Sequence, residues 1–214
     1  MKKRSILILF CFVMAMTSNA STADSISTVY KNGEFVSYCR VWVNASDNKC
    51  ESVTNDFANQ MCYNLDALFS WGLKGMNLRK EKKELMMFYF KSTSFNKRTN
   101  ILQSVGDVIV PGVITVSDIK ISTLLTTRKY SNGKNTSTMD LVSSNGLVKK
   151  TNTSFSMIPQ KEKGTWFVLE TRTQFGWFFN IFITQNRYKT IMEWRLRRYV
   201  HNLKDEAEKR EKNQ

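Results

Sequence analysis

The residues able to do chemistry are few and scattered. The chain has one histidine, His201, and it lies in a helical pattern near the end of the sequence. A Ser/Cys–His relay would have to use that side chain, and its position on or near the polar edge of a helix predicts a surface residue. The carboxylates Asp56, Asp66, Asp140 and Glu170 are not paired at a spacing that suggests acid–base work. There is no glycine-rich phosphate loop, no GxSxG, no HExxH and no CxxC. No catalytic residue, metal site or cofactor is therefore expected. Arg40 is the one candidate for a buried functional charge, and only if its strand face turns inward. An enzyme is the less favoured class.

The stronger signal is apolar. Phe88 and Phe90 lie opposite Lys91, Ile119 and Ile121 opposite Asp118 and Lys120, and Phe167 and Leu169 opposite Glu170 and Arg172. Strand alternation puts each apolar set on one face. Met192, Leu196 and Tyr199 recur at helical steps in the last long pattern. Brought into one interior, these nine aromatic, aliphatic and methionine side chains would suit a hydrophobic small molecule or lipid. They would equally fill a closed core. The segment from Phe175 to Ile183 has two readings: the end of a buried strand, or an exposed contact with Trp177 and Phe178 at an anionic membrane surface.

These residues need elements to position them. Lys2, Lys3 and Arg4 followed by the apolar run Ile6 to Met16 read as a signal peptide, residues 1–20, cleaved near Ala20. The protein is thus expected to be exported, either periplasmic or secreted. Residues 21–32 read as a flexible leader, 33–209 as one domain and 210–214 as a disordered tail. Phe35 to Val43 predicts a strand, and Asn44 to Lys49 a loop. A helix follows, capped by Ser52 or Thr54 and running toward Gly72. Strands are expected over Leu85 to Phe95, Gly106 to Ser117 with a bend or bulge at Pro111-Gly112, Asp118 to Tyr130, Thr138 to Val142, Leu147 to Met157 and Trp166 to Thr173. Tyr188, Met192, Leu196, Tyr199, Val200, Leu203 and Ala207 form the buried stripe of a long terminal helix. Arg195, Arg198, Asn202, Asp205 and Glu208 are assigned to its other side.

Charge and cysteine bound the partners. The chain has 32 Lys+Arg against 18 Asp+Glu, a formal charge of +14. That allows contact with anionic surfaces. The faint basic–aromatic run Arg195 to Tyr199 does not make a nucleic-acid platform, and no nucleic acid is expected. Beyond Cys11 in the leader peptide, Cys39, Cys50 and Cys62 allow one disulfide, Cys39–Cys50 or Cys50–Cys62, or none. Oligomeric state is not legible.

The order of elements is strand, helix, a run of antiparallel strands, and a long C-terminal helix closing as Arg197-Arg198-Tyr199-Val200-His201-Asn202-Leu203. This order resembles the START-like lipid-transfer and polyketide-cyclase superfamily, the helix-grip fold. The resemblance implies an α+β domain in which a curved antiparallel sheet of six or seven strands grips the last helix. It also implies a cavity between sheet and helix, and a non-catalytic, ligand-binding role. The alternatives on the same fold are a cyclase- or isomerase-type enzyme, or an envelope interaction protein with a filled core.

Overall fold

The computed structural model describes residues 24–63, 87–160 and 164–213, with the side chains of 60–63, 87–88 and 178–179 outside that description. The proposed signal peptide and the second half of the expected first helix lie outside the described residues. The elements are β1 (Ser25–Lys31), β2 (Glu34–Val43), α1 (Asp47–Tyr63), β3 (Met87–Asn96), β4 (Ile101–Val110), β5 (Ile114–Lys129), β6 (Asn135–Ser144), β7 (Val148–Gln160), β8 (Gly164–Phe175), a single turn α2 (Trp177–Asn180) and α3 (Gln185–Lys212). All eight strands form one antiparallel sheet in the order β1-β2-β8-β7-β6-β5-β4-β3. The fold is α+β, an open sheet gripping a long C-terminal helix, with eight strands rather than six or seven.

Every strand pair but one is local, joined by a short connection. The exception is β2 with β8, where Val41 sits opposite Phe167 and Cys39 opposite Leu169. Alternation in β2 is complete: Phe35, Ser37, Cys39, Val41 and Val43 are buried and the residues between them are not. This face and the matching face of β8 look toward α3.

The extra strand, β1, corrects the reading of residues 21–32 as a flexible leader. Asn32 and Gly33 both have positive φ, 53° and 80°. Two such residues in succession suit the tight hairpin turn that matches strand twist, and the turn folds Ser25–Lys31 back onto β2. Pro111-Gly112 likewise belongs to the turn of a β4–β5 hairpin, not to a bend within one strand. Val113 N–H donates to the Val110 carbonyl, and Gly112 has φ 73°. The bulge lies further on, where Asp118 has φ 57° and the β4–β5 register shifts between Gly106 and Val108. α1 starts at Asp47, earlier than Ser52, because the Ser46 carbonyl accepts from the Lys49 and Cys50 N–H groups.

α3 buries Tyr188, Ile191, Leu196, Val200, Asn202, Leu203 and Ala207. Its first turn is capped by Thr184, whose hydroxyl accepts from Arg187 N–H. Polar contacts fasten it along its length. Glu193 accepts from Thr28 N–H at 2.7 Å, Lys204 Nζ donates to the Trp42 carbonyl at 2.6 Å, and Glu208 accepts from Asn44 N–H at 2.9 Å. Arg210 reaches Asp56 and Ser52 of α1, both at 2.8 Å. That last anchor explains why the helix runs to Lys212 where a disordered tail from residue 210 was expected. Two assignments on the helix are also corrected. Asn202 is only 2 % exposed, and Arg195 is half-buried with its Nε inside. Both are within reach of the buried stripe by helical spacing, and their polarity masked this.

Cys39 and Cys50 are buried free thiols, so neither of the two proposed disulfides is present; the Cys62 side chain lies outside the described residues. Burial pushes the Cys39 thiol up to about 12 and the Cys50 thiol up to about 11. No helix among the described residues is long and apolar enough to cross a membrane.

Candidate functional site

The candidate site is the interior between α3, α1 and the α3-facing side of the sheet. Two apolar clusters occupy it. In the first, Phe167, Leu169, Leu196 and Val200 are buried together, with Met192, Tyr199, Phe155 and Phe57 packed against them. Phe155 meets Phe167 edge-on at 5.3 Å, and Phe57 of α1 meets Tyr199 at 5.2 Å. In the second, Ile119 is buried with Phe35, Phe175 and Tyr188, and Ile121 and Met192 pack against it. Phe35 stacks on Tyr188 at 3.9 Å. Met192 belongs to both clusters, so its flexible thioether joins them.

Eight of the nine residues singled out from the sequence thus have described side chains. Phe167, Leu169, Met192, Leu196 and Tyr199 share one cluster; Ile119 and Ile121 lie in the second. Phe90 packs in a third, smaller cluster with Leu102, Phe95, Leu125 and Phe57. Phe88 falls on β3, but its side chain lies outside the described residues. Of the two membrane candidates, Trp177 is 78 % exposed, and the Phe178 side chain lies outside the described residues. The segment from Phe175 to Ile183 divides between burial and exposure. Phe175 ends β8 buried and Ile183 is buried, while Trp177 and Ile181 between them face solvent.

The interior also holds a polar row that the apolar patterning concealed. Thr28, Ser37 and Thr171 are buried and follow one another across β1, β2 and β8, and Thr153 of β7 continues the line. Thr28 Oγ1 donates to Ser37 Oγ at 2.9 Å and Thr153 Oγ1 to Thr171 Oγ1 at 3.1 Å. Burial lifts the Tyr188 phenol to about 12, outweighing the nearby Thr173 and Ser37 side chains, which act to lower its pKa. Arg195 follows Tyr188 by seven residues, two helical turns, and shares its stripe. Burial lowers the Arg195 pKa from the usual arginine value, with Tyr188 acting weakly the other way. Burial alone raises the Tyr199 phenol. The spacing of Arg195 between Tyr188 and Tyr199 was the available signal for its placement; its charge argued for the opposite face.

Other candidates leave the interior. Arg40 lies on the opposite face of β2, with its guanidinium 3.7 Å from the Trp166 ring centroid. It therefore packs as a cation–π lid on the outside of the sheet. His201 Nδ1 sits 2.8 Å from the Arg197 carbonyl and Nε2 sits 3.0 Å from Asp24, an arrangement that ties α3 to the chain entering β1. Asp56 pairs with Arg210, Glu170 with Arg172, and Asp140 accepts from Asn152. Asp66 lies outside the described residues. Among the described residues no group of three or more His, Cys, Asp or Glu could hold a metal ion. Two shallow hollows of described residues, about 190 and 330 Å³, flank the C-terminal end of α3 and are lined by residues such as Asn44, Ser46, Glu208 and Lys212. They are separate from the interior beneath the helix.

No family model matches the chain, and no curated protein does. Solved structures do. The chain is similar to a START superfamily protein from Mycobacterium smegmatis at 13 % identity, with 81 % of this chain and 97 % of that one covered and a TM-score of 0.46. It is similar to a STAR-related lipid transfer protein from Xanthomonas axonopodis at 13 % identity, covering 86 % and 98 %, TM-score 0.47. It is also similar to norcoclaurine synthase from Thalictrum flavum at 14 % identity, covering 85 % and 96 %, TM-score 0.42. The fold itself rests on the strand order and on the seating of α3 described above.

Proposed function

We propose that the protein binds a hydrophobic small molecule or lipid between α3 and the sheet, without catalysis. One observation carries this reading. Aromatic, leucine and methionine side chains from β8 and α3 converge in one interior, a short row of hydroxyls lies on the same side of the sheet, and Arg195 of α3 has its Nε buried. An apolar wall with a few placed polar groups is the usual form of a small-molecule site. The hydroxyls and the guanidinium would orient a polar head while the aromatic cluster takes an apolar tail. Native mass spectrometry and organic extraction of the purified protein test the reading. A species bound in defined stoichiometry is expected. An unladen mass, an empty extract and no uptake of long-chain fatty acid probes would overturn it.

A cyclase- or isomerase-type activity is the second reading, favoured by the same Arg195, which lies two helical turns after the buried Tyr188 on one stripe of α3. Such chemistry needs a charged group in a dry interior to stabilise an enolate-like oxygen. Turnover abolished by Arg195→Met, with ligand retained, would move the assignment to that class. We further propose export, on the basic n-region and apolar run of residues 1–20. N-terminal sequencing of protein recovered outside the cytoplasm should begin near Ser21.

A further inference from the structure

We propose that one edge of the sheet, with α2, docks on an anionic lipid bilayer. The β1–β2, β4–β5 and β6–β7 turns and the end of β8 all lie on this edge, as the strand registers require. Gly176 N–H donates to the Leu147 carbonyl, which sets α2 beside the β6–β7 turn. Phe182 and Ile183 then pack in the cluster that holds Val110 and Val116, along the β4–β5 hairpin. The edge therefore gathers Trp177 at 78 % exposure, Ile181 at 64 %, Val113 at 54 % and Ile114 at 38 %. Large apolar side chains collected at one end of a domain are costly in water and mark a contact surface.

The charges nearby select the partner. Lys31 beside Asn32-Gly33, Lys149 beside the β6–β7 turn and Lys189 near the start of α3 are exposed, and no ion pair among the described residues holds them. The acids near this edge are already engaged: Glu34 by Lys150 at 2.8 Å, and Asp107 and Asp118 by Lys91 at 2.7 and 3.0 Å. Apolar tips within a basic rim match a surface that offers hydrocarbon and phosphate together. Tryptophan belongs at the boundary between the two. This inference does not depend on the ligand-binding reading.

Vesicles of equal parts phosphatidylglycerol and phosphatidylcholine, with and without brominated acyl chains, test it on the full chain. Bromolipid should quench part of the tryptophan fluorescence of the unaltered protein. In Trp177→Phe that quenching should be lost while the protein still sediments with vesicles; this separates the proposed edge from any contact made by the apolar N-terminal run. A Lys31→Gln/Lys149→Gln/Lys189→Gln variant should bind more weakly by about fivefold for each lysine removed. All the substitutions are at exposed positions, and unchanged thermal melts would show that the fold is intact. Absence of vesicle binding, quenching unchanged in Trp177→Phe, partition indifferent to the three lysines, or binding to a protein partner alone would each overturn the proposal.

Discussion

Replacing Phe167 by alanine tests the shared interior most directly. Phe167 is fully buried on β8, opposite Val41 of β2 and Met157 of β7, and it meets Phe155 edge-on at 5.3 Å. Truncation removes the ring and leaves a void that the surrounding strands cannot close, because their register is pinned on both sides. Phe→Ala changes at such sites cost about 3–5 kcal/mol. For a chain of this size that corresponds to a fall in melting temperature of about 6–20 °C. Since total stabilities are typically about 5–15 kcal/mol, the variant should still fold in the cold, and Phe167→Leu, costing less than about 1.5 kcal/mol, provides a milder second point. Urea unfolding followed by circular dichroism gives the free energies. A cycle with Phe155→Ala should show coupling of about 0.5–1.5 kcal/mol from the ring pair. A loss below about 1 kcal/mol for Phe167→Ala, or zero coupling, would refute the placement of these rings in one interior and the proposed binding site with it.

Gly164→Ala should destabilise by about 1–3 kcal/mol in a thermal melt, because the added Cβ would lie 2.1 Å from Trp42 Cζ2 and the Trp42 ring is itself packed edge-on against Trp166. Gly33→Val should loosen β1 selectively, since φ of 80° disfavours a branched residue; faster amide exchange over Ser25–Lys31, with β7 and β8 unchanged, is the expected readout. Alkaline stability has a defined sign. The Cys39 and Cys50 thiols and the Tyr188 phenol have folded pKa values raised to about 12, 11 and 12, so their contribution is complete below their ordinary values of 9 to 10 and is lost as pH rises toward 11–12. Melting temperature should therefore fall across that window, and iodoacetamide at pH 8 should leave both thiols unmodified until the protein unfolds; a flat profile would contradict their burial.

The periodicity of β2, β8 and α3 was enough to identify which side chains face inward, because alternation and helical repeat are local properties of a chain. Hence the sequence alone groups Phe167, Leu169, Met192, Leu196 and Tyr199, and element order alone implies the gripped-helix layout. Local patterning did not reveal β1, whose alternation is weak and whose turn depends on two successive positive-φ residues. Nor could it place Trp166. That ring lies on the outward face of β8 yet is 1 % exposed, because Arg40 and Trp42 from a strand distant in sequence cover it.

Arg195 and Asn202 show the same limit from the opposite side. Their polarity argues for solvent, yet the folded protein leaves Asn202 only 2 % exposed and the Arg195 Nε buried. Sequence determined the inward stripes, the helix-grip order and the lack of familiar catalytic motifs. Tertiary structure decided the β2–β8 pairing, the hydroxyl row, the half-burial of Arg195 and the gathering of exposed apolar side chains with lysines at one sheet edge. Those features depend on which distant segments meet, and burial is a property of the assembled neighbours rather than of any residue alone.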